Sequence, residues 1–302
     1  MFRYLERSEN TARLVDAGVS SALSQSDSAE AEWTSILDIT GMKEAYKERH
    51  EDFDPAKVVD FMLRERTNPF SVLAIVEAAR TNARMVRTAL TREVFEATNE
   101  CWIILRELMA RQISAEELYT VLRTIRQQSA LVRGAMHGTK LRNDIYDFAS
   151  VGTFIERANN TASILEIKYY ALLPAVAYGG YQSQNVQWET ILRSVSAQRS
   201  YRWLNRGSIN QRGIAEFLIM DPRMPQSMAF CISNIVTHLQ NLANEYGQDP
   251  KSLHDAVAMR DQLSAMPIDE IFENGLREFV SEFLKDLHQL SSQIEQDFRF
   301  YR

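Results

Sequence analysis

Two glutamate–arginine pairs, Glu6–Arg7 and Glu156–Arg157, are the residues of this chain best suited to chemistry, and each is followed at the same spacing by an asparagine and a threonine. The stretch YLERSENTARLV from Tyr4 to Val15 returns 150 positions later as FIERANNTASIL, from Phe154 to Leu165. On a helix Glu6 and Asn10 share one row, and Arg7 and Thr11 form the next, about 100° around. A carboxylate backed by an amide can serve as a general base, and paired guanidinium groups can cradle a carboxylate or a phosphate. Glu6 and Glu156 are therefore the candidate catalytic residues, with Arg7, Asn10, Arg157 and Asn160 as candidate binding residues. The same residues also suit a structural role. Glu6 could meet Arg157 while Glu156 meets Arg7, forming a four-charge lock between two similar helix bundles, with Asn and Thr side chains satisfying the leftover donors and acceptors. The sequence favours the lock over the ligand site.

Other clusters carry weaker signals. Arg80, Arg84 and Arg87 fall on one helical stripe, with Glu77 three residues before Arg80 as a partner; a solvated face is the plain reading and anion or partner binding by Arg80 and Arg84 the sharper one. Arg199, Arg202 and Arg206, interleaved with Tyr201 and Trp203, form a similar row. None of His50, His137, His238, His254 and His288 has a glutamate three residues before it, so the Glu-x-x-His pairs of two-metal helical bundles are missing, and no HExxH is present. No metal and no cofactor is expected. Cys101 and Cys231 make neither a disulfide framework nor a metal cluster, and Cys231 sits in an apolar helical run that suits a core position. There is no Gly-rich phosphate loop or dinucleotide fingerprint.

The elements that must position these residues read as helices throughout. Apolar residues recur at spacings of three and four, as in Val72, Ile75, Val76, Ala79, Ala83, Val86 and Leu90. Asp54-Pro55, Asn68-Pro69 and Asp249-Pro250 each offer a cap followed by a proline at the first helical position, and Ser114 with Glu117 a capping box. About twelve helices are predicted, at 3–24, 29–48, 55–65, 69–89, 92–112, 114–136, 143–172, 186–205, 208–220, 225–246, 250–265 and 267–300, with irregular stretches around Tyr178-Gly179-Gly180 and Asn205-Arg206-Gly207.

The 302 residues carry a net charge of −6, with 20 basic against 23 acidic residues in 1–150 and 14 against 17 in 151–302. Neither half has the basic excess of a nucleic-acid binder. No apolar run is long enough to span a membrane, and a reduced, cytoplasmic setting is expected. The repeat extends past its opening: Glu32-Trp33 to Leu37 echoes Gln187-Trp188 to Leu192, Asp60 to Leu63 echoes Glu216 to Ile219, and Pro69 with Ser71 echoes Pro225 with Ser227. Even Asp144 to Phe148 resembles Asp297 to Tyr301. The expected architecture is all-α, two tandem duplicated bundles at 1–142 and 143–302 packed about a pseudo-two-fold axis. The second motif helix can begin near Asn143, thirteen residues before Glu156, whereas five residues precede Glu6. That asymmetry makes Met1 an expected late start, with further helix upstream.

These motifs carry a resemblance. The two Glu-Arg motifs with Asn-Thr-Ala, NPFSVLAIVEAARTNARMVR in the first half and DPRMPQSMAFC in the second resemble the bacterial alpha-E domain family, essentially from end to end. Ser8 and Asn159 depart from the Ala and Asp more usual in that family. The resemblance implies an all-helical fold and company with an ATP-grasp-type protein, often a transglutaminase-like protein and sometimes a proteasome-like peptidase. It therefore implies an accessory or adaptor to an amide- or peptide-ligase system. The alternative is an enzyme acting on an amide, peptide or carboxylate substrate at a central Glu-Arg pocket; whether the chain is an enzyme stays open, as does its oligomeric state.

Overall fold

The computed structural model describes residues 1–24, 29–169, 181–205 and 209–299, and among these every regular element is helical. The chain divides into two compact units, Met1–Tyr146 and Asp147–Arg302. The first contains α1 (Phe2–Ser24), α2 (Ala29–Ile39), α3 (Lys43–Lys47), α4 (Pro55–Leu63), α5 (Val72–Met85), α6 (Arg92–Leu108) and α7 (Ala115–Thr139). The helix α8 (Asp144–Ile164) runs through the division. The second unit adds α9 (Tyr181–Ser194), α10 (Gln198–Leu204), α11 (Gln211–Met220), α12 (Met228–Tyr246), α13 (Lys251–Ala265), α14 (Ile268–Asn274) and α15 (Leu276–Asp297).

Fifteen α-helices are described where twelve were expected, and the three extra breaks share one cause. The expected 29–48, 186–205 and 267–300 helices each split at a residue of positive φ: Gly41 at 68°, Ser196 at 55° and Gly275 at 100°. One left-handed residue ends a right-handed helix while the apolar spacing carries on beyond it, so periodicity runs straight through the break. The Tyr178-Gly179-Gly180 stretch and Arg206-Gly207 lie outside the described residues.

Capping decides the remaining boundaries. Asp54 accepts from the Ala56 and Lys57 N–H groups at 3.0 and 3.1 Å, and the Ser114–Glu117 box is formed at the head of α7. The other two expected caps are corrected. At 68–71 the cap is Ser71, and Asn68 instead braces the turn ahead of it, donating to the Phe61 carbonyl at 2.9 Å and accepting from the Phe70 N–H at 3.0 Å. Asp249 makes no cap; its carboxylate pairs with His254 at 2.7 Å, and α13 starts after Pro250.

In the first unit α1 packs on α5 and α7, and α6 packs on both of these in turn, which closes a four-helix ring; α2 and α4 lie against α1. Val72, Ile75, Val76, Ala79 and Ala83 fill the ring from α5, as expected, but the helix ends at Met85, so Val86 is left exposed. Val94, Cys101 and Leu105 from α6 and Val121, Leu122, Ile125, Val132 and Met136 from α7 complete the core. In the second unit α12 packs on α13, α13 on α15, and α15 on the π-helical turn Leu165–Tyr169 that continues α8. Phe154 of α8 lies edge-on to Phe230 and stacked on His238, both of α12.

Because Asn68 is wholly buried and serves both Phe61 and Phe70, Asn68→Ala strands one acceptor and one donor. It is expected to lower unfolding free energy by about 1–3 kcal/mol in a urea titration followed by circular dichroism.

Candidate functional site

α1 is buried on nearly all sides from Ser8 to Ala12, because α5, α7, α2 and α4 surround it. Five buried positions of that stretch and its approach are polar: Glu6, Ser8, Glu9, Asn10 and Thr11. Charges taken out of water need partners close at hand. α7 supplies one for both carboxylates: Arg133 lies 3.2 Å from Glu6 and also pairs with Glu9. Arg13, one turn further along α1, closes on Glu9 from the other side and donates to Asn10 Oδ1 at 3.1 Å. Glu9 Oε2 meets Arg133 charge to charge but off the hydrogen-bonding direction.

The same two helices continue the pattern. Ser8 and Ser129 hydroxyls meet at 3.0 Å in the buried seam, and Asp16 pairs with Arg126 at 2.8 Å nearer its rim. Glu9 to Asp16 and Arg133 to Arg126 are both seven residues, traversed in opposite directions, which is two turns of each antiparallel helix. The α1–α7 seam is thus laced by ion pairs two turns apart, with a serine pair beside the first of them.

The second motif takes its neighbours from the entry to α12. Arg157 donates to the Pro225 carbonyl at 3.2 Å and lies over the Phe154 ring, while Thr161 donates to the Gln226 carbonyl at 2.7 Å. Glu156 and Asn160 are buried. Ser227 caps α12 through the Phe230 N–H at 3.0 Å, so the motif braces the turn just before that cap. Earlier on α8, Asp147 accepts from His238 Nδ1 at 2.6 Å and from Asn241 at 3.1 Å, a buried dyad tying α8 to α12.

Asn10 and Asn160, equivalent in the repeat, share one property. Both are buried, and among the described residues neither side-chain Nδ2 has a hydrogen-bond partner. Gln226 Oε1 is a buried acceptor in the same position.

The arginine stripe is not continuous. Arg80 and Arg84 are on α5, but Arg87 falls in a separate 3-10 turn and lies over Phe95. Arg80 turns away from Glu77, donating to Asn99 at 2.8 Å and stacking over Trp102 at 4.1 Å; aromatic attraction and a neutral acceptor replace the expected ion pair. Arg84 is exposed. In the other row Arg202 pairs with Glu189, Tyr201 is core and Trp203 is largely exposed; Arg206 lies outside the described residues. Both cysteines are free and buried, and burial pushes the Cys101 thiol up to about 12, which leaves it protonated and unreactive at neutral pH. Among the described residues no group of three or more His, Cys, Asp or Glu side chains is placed to hold a metal ion, and no helix is long and apolar enough to cross a membrane.

Arg133, Glu9, Arg13, Asp147 and His238 were not singled out by spacing. Arg126 and Arg133 did carry a signal: seven apart, they border the apolar row Val121, Leu122, Ile125 and Val132. His238 is likewise set among Ile235, Val236 and Leu239. A charge beside a core stripe must find a partner, yet only the fold says which.

An all-helical chain whose two Glu-Arg motifs are built into helix seams is the class of protein these observations define. The chain belongs to the Alpha-E family, described as a predicted alpha-helical domain with a conserved ER motif, and the match covers residues 1–298. No curated protein and no solved structure matches it.

Removing Arg133 leaves Glu6 and Glu9 buried with one charge partner fewer. Arg133→Met is expected to cost about 3–5 kcal/mol in unfolding free energy, and Arg126→Met, nearer solvent, at most about 1 kcal/mol, both read from urea titrations.

Proposed function

We propose that this Alpha-E chain is a non-catalytic helical partner of an ATP-grasp-type protein, acting in amide- or peptide-bond chemistry in the bacterial cytoplasm, with a transglutaminase-like protein as a further associate. The observation that carries this reading is the commitment of Glu6 and Glu9 to Arg133 and Arg13. A buried carboxylate whose oxygens are engaged by guanidinium groups is committed to its ion pair and is not presented to a substrate proton. The Glu-Arg motif then serves to set helix register. The two free cysteines fit a reducing compartment.

The tandem arrangement belongs to the same proposal. A tandem duplication of one helical bundle is supported by the 150-residue repeat and by the matching buried positions of Trp33 and Trp188 and of Phe61 and Phe217.

A second reading, an enzyme for an amide, peptide or carboxylate substrate, is favoured by one observation: the buried, unpartnered Nδ2 donors of Asn10 and Asn160. They suit a substrate carbonyl or carboxylate.

The two readings separate on mixing. With an ATP-grasp-type protein encoded beside this chain, the accessory reading expects a stable complex at micromolar concentration and faster ADP release, both retained in Glu156→Gln. Absence of association there would overturn it. Loss of turnover in Glu156→Gln, with melting temperature unchanged, would instead establish the enzyme.

A further inference from the structure

The first unit has a cavity of about 350 Å³ between the Arg64–Arg66 segment, the start of α5 and α6. Its walls include Arg64, Arg66 and Arg106 together with Ser71, Glu77 and Trp102. That volume falls at the small end of the range for small-molecule sites, about 300–1,000 Å³. Three guanidinium groups reach one opening, two of them paired with carboxylates that do not line it: Arg64 with Asp60 at 2.7 Å and Arg106 with Glu107 at 4.0 Å.

Two of the three are held in place. Arg64 is bound through Nη1 to the Asp60 carboxylate at 2.7 and 2.9 Å and through Nε to the Met109 carbonyl at 3.3 Å. Arg106 lies over the Trp102 ring at 4.4 Å, and Arg80, also on that ring, is tied to Asn99. Holding the guanidinium groups beforehand lowers the ordering cost of binding. Arg66 is different: among the described residues its side chain has no hydrogen bond or ion pair, and neither has the Glu77 carboxylate.

We propose that this cavity binds a phosphate-bearing small molecule, with Arg66 and Arg106 on the phosphate, Arg64 adding its field, and Glu77 accepting from a hydroxyl or amine on the rest of the ligand. A carboxylate is satisfied by the fork of a single arginine, whereas the oxygens of a phosphate accept from guanidinium groups arriving from several directions. Arg64 and Arg66 come from the segment after α4 and Arg106 from α6, and guanidinium groups from these two elements fit the second geometry. Ser71 and the first turn of α5 also line the wall and add a positive field of the same sign. The site is independent of the accessory reading, because the isolated full chain is enough to test it.

Calorimetric titration of the full chain with inorganic pyrophosphate, at constant ionic strength, is expected to give a dissociation constant of about 1 mM or tighter. Arg66→Ala and Arg106→Ala, each at a solvent-exposed side chain, should weaken it about tenfold or more while leaving the thermal melt unchanged. Arg92→Ala, on the exposed face of α6 and outside the cavity, should leave binding as it was. Succinate supplies the carboxylate arm and should bind at least about tenfold more weakly than pyrophosphate. No binding of pyrophosphate, equal binding of succinate, or an equal loss in Arg92→Ala would each overturn the proposal.

Discussion

The first unit depends on finding partners for two carboxylates of a buried helix. α1 is enclosed by α5, α7, α2 and α4, so Glu6 and Glu9 are shut off from water. A carboxylate left alone in such a place would force the helix outward. Arg133 serves both carboxylates and Arg13 serves Glu9. The attraction is directional and local, so it specifies how far α7 can slide along α1. The Ser8–Ser129 contact and the Asp16–Arg126 pair, two turns away, agree with only that register. Net stability from such pairs is small, because desolvation offsets the Coulomb gain. Their effect is to penalise wrong alignments that an all-apolar seam would tolerate.

Around that seam the remaining core follows ordinary helix packing. Val72, Ile75, Val76, Ala79 and Ala83 from α5 and Val121, Leu122, Ile125 and Val132 from α7 are the apolar surface that drives closure of the ring. In the second unit a different polar device stands at the corresponding place in the chain. Asp147 and His238 join α8 to α12 with Asn241 as a further donor, and Arg157 and Thr161 hold the backbone at the entry to α12. In the first copy Glu6 pairs with Arg133 of α7, and in the second Arg157 and Thr161 donate to main-chain carbonyls at the entry to α12.

Much of the helical layout was readable from residue order. Cap chemistry located α4 and α7, through Asp54 and the Ser114–Glu117 pair, because a cap is made by side chain and backbone within a few residues. It misled where proline suggested a start that the fold does not use. At Asn68 the amide was needed to close the turn between Phe61 and Phe70, which leaves capping to Ser71. Breaks at Gly41, Ser196 and Gly275 were hidden because apolar spacing reports which face is buried and not whether one residue has changed hand.

The sequence by itself determined the helical class, the recurrence of Glu-Arg with Asn and Thr at fixed spacing, and the absence of phosphate-loop and metal-bundle signatures, all of which are local in the chain. The tertiary structure alone decided the partners. Arg133 is 127 positions from Glu6 and His238 is 91 from Asp147, separations across which residue spacing holds no information. Arg80 shows the same division from the other side: Glu77, three residues away, was the partner that spacing named, and the packing of α6 put Asn99 and Trp102 there first. A charge's partner is settled by which helices lie side by side, and that is a property of the folded chain.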